Sequence, residues 1–403
     1  MSNAQAMSHS SIKIKLITGL ILASFITLIV MMFSKNNIVF EEPDHFVFDW
    51  KASLFSTKIK EQRKDIALVY VDNSSIVDYP YNNPIDRGLL ATIIRDIDSS
   101  RPKAIGLDII FDSPTEVGRD EVLRRTIATA VSPIVLIGTS QEESGVSAQQ
   151  IEWQDAFLKS TGKIISNPFL HEESSKISLG DAVVRTFDEY EHNDTEEPFS
   201  LAMAHQVRDV EYHSDGLIDW LLPSDSGLEV FPTFIVPRHQ PINNFSQMKN
   251  IFPDYIKSQF RDKVVIIGGM IAGTDWHRIP MTISTGLEVP GAYIHAQMLA
   301  QLLDGRKISK ASFVFSSIVV FIATYLLYLA VETIGEKHPE IIFEFLVIIG
   351  VVVFGTVMFD YYRINFPSAE LGLAWLLVAL TSKYATNLAF RFSEAKLFRG
   401  ITK

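Results

Sequence analysis

"DIALVYVDNSSIVDYPYNNPIDRGLLATIIRDIDSSRPKAIGLDIIFD", residues 65–112, decides the fold class. Residues 66–71 form a short apolar run with β-branched members, stopped by Asp72, Asn73, Ser74 and Ser75, which is the pattern of a buried strand. Over 86–100, Leu89, Leu90, Ile93, Ile94 and Ile97 fall at helical spacing, and Asp86 stands where an N-cap would accept the first free N–H groups. Residues 103–112 read as a second strand. Two buried strands joined by one helix form a parallel βαβ unit, because a parallel return requires a crossover.

The rhythm continues outward from this unit. A helix is expected over 119–130, a strand over 133–140 and another helix in "EPFSLAMAHQVRDV" (197–210). "KVVIIGG" (263–269) is a late strand, and "GAYIHAQMLAQLLDG" (291–305) is a helix closed by Gly305. Residues 141–197 are charge-rich with few long apolar runs, and are expected to form an exposed, partly irregular excursion. The fold class is therefore α/β, a mainly parallel or mixed sheet flanked by helices.

Charge and hydropathy divide the 403 residues sharply. Residues 41–310 hold 40 Asp and Glu against 26 Lys and Arg, whereas both flanks are apolar and slightly basic. There is no basic patch with interleaved aromatics, so a nucleic-acid partner is excluded. The absence of cysteine excludes disulfides, Cys-ligated zinc and a thiol nucleophile. Residues 16–33 are uncharged, longer than a signal-peptide core, and continue into "MMFSKNN", a poor cleavage site, so an uncleaved anchor is expected. The expected order is a cytoplasmic start (1–13), a membrane helix (14–33) and an extracytoplasmic domain (34–310). Three membrane helices (311–331, 341–359, 368–390) and a cytoplasmic tail (391–403) follow. Lys13 and Lys15 at one end, with Lys383, Arg391, Lys396, Arg399 and Lys403 at the other, orient four crossings with both termini inside. Glu344, Asp360, Glu370 and Lys383 lie at or near the span ends, where interfacial snorkelling accounts for them.

Four aspartates stand near the carboxyl ends of expected strands: Asp72, Asp108, Asp112 and Asp275. Ligands of open α/β sheets bind there, and convergent carboxylates suit a hard cation or a cationic or hydroxylated small molecule. The plainer reading is that each carboxylate caps its own loop. His277 and His295 are candidates either for pH sensing or for packing. Gly268, Gly269 and Gly273 match neither phosphate-loop pattern, so tight turns are their expected use. No G-x-S-x-G, Walker or kinase signature occurs, so catalysis is not expected; no metal ligand set is assigned and any cofactor is unknown.

The blocks "FDWKASL", "IALVYVDNSSI", "RPKAIGLDIIFD", "RDKVVIIGGMIAGTDWHRIP" and "VPGAYIHAQMLAQLL" occur in order after the first apolar run. With the apolar segments that follow, residues 40–390 resemble the second CHASE family, the extracellular sensory domains associated with cyclases and histidine kinases. The resemblance implies a multi-pass protein of a bacterial inner membrane with its central domain outside. It implies a small-molecule or protein ligand outside, a cytoplasmic or membrane signalling partner, and homodimerisation. Members usually continue into a cytoplasmic output domain, but 13 residues follow Phe390, so the output is expected on another polypeptide unless the chain is truncated. The alternative is a non-signalling binding or scaffold subunit of a membrane complex.

Overall fold

The computed structural model describes residues 2–35, 41–77, 83–139, 146–173, 182–188, 190, 196–214, 216–236, 258–271, 273, 275–334, 340–366 and 368–401. The chain divides into two compact units, one built on residues 56–174 and 181–307, the other on 1–55 and 308–403.

The first unit is organised by a six-stranded parallel sheet. Its strands are β1 (Ile66–Asp72), β2 (Ala104–Asp108), β3 (Ile134–Ile137), β4 (Ile164–Ser166), β5 (Thr233–Ile235) and β6 (Val264–Met270). Their spatial order is β4-β3-β2-β6-β1-β5, so the last strand in sequence sits in the middle of the sheet. Six residues of β1 are buried, and β6 begins with five, as expected of strands covered on both faces.

One face packs against helices α3 (Arg87–Asp98), α4 (Val117–Thr129) and α5 (Ala148–Thr161). Val69, Ile105, Ile267, Leu90, Ile94 and Leu123 belong to the resulting core. Asp86 caps α3 as expected, its Oδ1 accepting from Leu89 N at 2.8 Å. The opposite face carries α6 (Phe199–His205) and α7 (Gly291–Asp304). It is flattened by glycines: a Cβ at Gly106 would lie 2.6 Å from Phe199 Cζ, and one at Gly268 would lie 2.6 Å from Ala292 Cβ. Gly268 is therefore a strand–helix packing residue, while Gly273, at φ +82°, is the one of the three that takes a turn conformation.

The expected excursion at 141–197 is corrected where it is described. It contains α5, the edge strand β4 and the antiparallel pair Glu172–Glu173 with Val183–Val184. Residues 140–145, 174–181, 189 and 191–195 lie outside the described set. The helix expected over 197–210 stops at His205, within its last apolar turn.

The second unit holds α1 (Ser2–Lys35), α2 (Glu41–Phe55), α8 (Phe313–Ile334), α9 (Glu340–Tyr362) and α10 (Ser368–Ile401). Ile26 and Val30 of α1, Val320 and Leu327 of α8, and Ala374 and Val378 of α10 share one apolar core. Among the described residues two helical stretches are long and apolar enough to cross a membrane, Ile12–Ser34 and Phe313–Glu332. The expected count of four is corrected to two. The described apolar part of α9, Ile349–Tyr362, is shorter, and α10 is broken by Glu370, Lys383 and Arg391. The Glu344 side chain lies outside the described set.

Candidate ligand site at the carboxyl end of the sheet

Asp108, Gly268 and Tyr70 share one row across β2, β6 and β1 at the carboxyl end of the sheet. Side chains alternate along a strand, so Asp108 faces the same side as Gly106, the side of α6 and α7. There the Asp108 side chain is 7% exposed, and its Oδ1 lies 3.9 Å from Nε2 of His295, which is 3% exposed on α7. Asp108 Oδ2 is buried without a protein hydrogen-bond partner. His295 also stands edge-on to Phe199, at 5.0 Å between ring centroids. Its Nδ1 is buried without a hydrogen-bond partner, and the Pro168 backbone favours the protonated ring.

Asp275 and His277 act on this pair from nearby. Asp275, at φ +48°, opens the short strand Trp276–His277, which pairs antiparallel with Val289–Pro290 and leads into α7. Its carboxylate lies against Gly291, the first residue of α7, where an added Cβ would come within 2.7 Å of Oδ2. The Asp275 carbonyl accepts from Gly291 N at 3.2 Å. A negative charge there favours the positive end of the helix dipole. His277 bridges two carboxylates, Nε2 to Asp275 Oδ1 at 2.9 Å and Nδ1 to Glu172 Oε1 at 2.7 Å. With both ring nitrogens donating, the ring is an imidazolium.

The environments push the proton affinities apart. Burial lifts the Asp108 carboxyl well above the usual range, and the Asp275 charge lifts it further, against the opposing pull of His277. Burial would lower His277, but the bonds from Asp275 and Glu172 prevail and raise it to about 9. Burial lowers His295 to about 4, outweighing the attraction of Asp275. Around neutrality the cluster thus holds a protonated His277 and a neutral His295, beside an Asp108 carboxyl that gives up its proton less readily than usual.

The signs give a testable stability profile. His277 stabilises the fold fully below about pH 6.5, its unfolded value, and that contribution is lost as pH rises through about 9. His295 works oppositely: the unfolded chain takes up its proton first, so stability falls as pH drops from 6.5 towards 4. In urea melts from pH 4 to 10, His277→Gln is expected to lose the alkaline decline and His295→Gln the acidic one. Profiles parallel to wild type in both variants would remove these assignments.

The other two aspartates are used locally. Asp72 Oδ1 accepts from Ser75 N at 2.8 Å, Ser74 Oγ at 2.7 Å and Ser75 Oγ at 2.9 Å, capping the turn 73–76. Those bonds outweigh partial burial and hold its carboxyl below the usual range. Asp112 accepts from Ser113 Oγ at 2.9 Å. The plainer reading of an aspartate as a loop former therefore describes Asp72 and Asp112, while Asp108, Asp275, His277 and His295 come together. Glu172 and Tyr70, not picked out from the sequence, join them; burial first and then the nearby Tyr293, Asp108 and Asp275 raise the Tyr70 hydroxyl. Among the described residues no group of three His, Asp or Glu side chains is placed to hold a metal ion.

Sequence reading also passed over Gln297 and Gln301. Gln297 Oε1 accepts from Leu221 N at 2.9 Å while its Nε2 donates to Leu221 O at 2.9 Å. Gln301 Oε1 accepts from Asp219 N at 2.6 Å and its Nε2 donates to Leu217 O at 3.1 Å. Two buried glutamines four residues apart on an apolar helix were the available signal.

The architecture is thus a parallel α/β domain, preceded and followed in the chain by helices apolar enough to cross a membrane, with a polar cluster at its strand ends. The family model for the CHASE2 domain matches residues 23–331, and the chain belongs to that family. No curated protein and no solved structure matches it.

Proposed function

We propose that the chain is an integral-membrane sensor subunit whose extracytoplasmic domain takes a small cationic or hydroxylated ligand at Asp108, Asp275, His277 and His295. The observation that carries this reading is the buried Asp108 oxygen without a hydrogen-bond partner, placed beside His295 of α7. Buried polar atoms are nearly always satisfied, so a donor supplied by a ligand would complete the site. Binding changes the seating of α7, which leads in sequence to α8, and the output passes to a cytoplasmic or membrane signalling protein, the chain acting as a homodimer. The effect on output is bounded by how differently the ligand binds the two seatings.

Thermal shift of the full chain in nanodiscs against polyamines, amino acids and sugars tests the site. At least one class is expected to raise the wild-type Tm and to lose that effect in both Asp108→Asn and Asp275→Asn. An undiminished shift in both variants would move the ligand elsewhere. Co-purification in mild detergent with mass spectrometry tests the output: a kinase, cyclase or regulator is expected, and envelope structural proteins alone would favour a scaffold. Asp108→Asn carries its own stability signature. The unfolded carboxyl ionises at 3.8 whereas the folded one holds its proton to higher pH, so wild-type stability falls across that window. Asparagine cannot ionise, so the advantage of the variant over wild type should widen as pH rises above 3.8.

A further inference from the structure

The helical unit carries a half-open cleft of about 500 Å3 between α2, α9 and α10, within the roughly 300–1,000 Å3 of small-molecule sites. Its walls are apolar, with Phe46, Trp50 and Leu54 from α2, Val352 from α9, and Leu371 and Trp375 from α10. Lys51 also lines it, although the residue is 6% exposed. Its Nζ donates to the Phe366 carbonyl at 3.2 Å and to Ser368 Oγ at 3.1 Å. An ammonium carries three N–H donors, so one remains for an occupant. Gly355 on α9 borders this end of the cleft, where an added Cβ would make ordinary contact with Ser368 Oγ at 3.5 Å and with Nζ at 3.7 Å.

The counter-charge at this cation is incomplete. Among the described residues no carboxylate lies within ion-pair distance of Lys51, and Asp44 acts on it from farther away. Burial first, then the neighbouring Glu370, raises Asp44 to about 7, which weakens it as a counter-charge. A buried cation without a full partner favours an anion. The depth of the site is also fixed. Ser34, at the end of the apolar stretch Ile12–Ser34, donates to Glu370 Oε1 at 2.6 Å, and Ala369 N donates to Asp44 Oδ1 at 3.1 Å. The Lys51–Ser368 end of the cavity therefore lies where the apolar stretch stops, the level of lipid headgroups.

We propose that this cavity holds one acyl chain of an anionic phospholipid, with a phosphate oxygen accepting the remaining Lys51 N–H. The apolar walls take the chain and the ammonium selects the head. This site is independent of the ligand at the strand ends.

The test uses the full chain in nanodiscs of equal phosphatidylglycerol and phosphatidylcholine, with mass spectrometry of the lipid retained after exchange into detergent. Wild type is expected to retain the anionic lipid with severalfold enrichment. Lys51→Gln keeps donors for Phe366 and Ser368 and should lose the enrichment, whereas Lys51→Arg should keep it. Gly372→Leu projects from a cavity-lining position where nothing lies within 4 Å of an added Cβ, and should lose retained lipid altogether. Equal retention of both lipids by wild type, or enrichment unchanged in Lys51→Gln and Gly372→Leu, would overturn the proposal. A free fatty acid as the retained species would overturn the phospholipid as its source.

Discussion

Replacing Gly268 by valine is expected to cost about 3 kcal/mol and to lower the melting temperature by roughly 6–12 °C. The new Cβ would stand 2.6 Å from Ala292 Cβ, closer than real Cβ atoms approach one another. Neither side can retreat easily. β6 is hydrogen-bonded to β2 on one edge and β1 on the other, and α7 is nearly buried from Gly291 to Leu302. The neighbouring glycine is the control. At Gly269 an added Cβ meets only Ile85 Cδ1, at 3.9 Å, so Gly269→Val should stay within about 1 kcal/mol of wild type. Thermal melts of both variants in nanodiscs decide the matter, and equal losses would show that the close approach of α7 is not what Gly268 serves.

The double variant Gln297→Leu, Gln301→Leu is expected to lose about 4 kcal/mol despite being more apolar. Each glutamine satisfies one backbone N–H and one backbone carbonyl in the segment 217–221. Leucine fills a similar volume but leaves those groups buried without partners, at about 1–3 kcal/mol each, partly recovered by relaxation. Urea melts should show a lower midpoint with an unchanged slope, since the surface exposed on unfolding is the same. A double variant as stable as wild type would mean that water replaces the amides. The pairing also has a functional side. Because α7 is held by directional bonds four residues apart, moving it requires breaking a defined set, which favours two discrete seatings over gradual drift.

The βαβ unit at 66–108 was legible because its two signals, continuous short apolar runs for the strands and helical spacing between them, need only local sequence. Helix α5 was overlooked, although Ser147 accepts from Gln150 N at its start and Gly162 ends it at φ +65°. Charges on its exposed face masked the apolar set. The central place of β6 could not be read, since strand order is decided by pairing between residues far apart in the chain. Asp72 and Asp108 look alike as strand-end acids, yet their followers differ. Ser74 and Ser75 donate to Asp72, while Ile109, Ile110 and Phe111 offer Asp108 no side-chain donor. That contrast is legible and separates the capping acid from the orphaned one. Glu172 is not legible, because it meets His277 across 105 positions of chain.

The placement of β6 also governs assembly. Until residues 264–270 are made, β1 and β2 have no strand to join them, and each presents an open edge to whatever lies nearby. Parallel pairings of such long range form late and slowly. The missing strand is the last of the sheet in the chain, and Phe313–Ile334 follows it. A chain stalled before Val264 would therefore hold two unguarded strand edges, prone to pairing with a neighbouring copy.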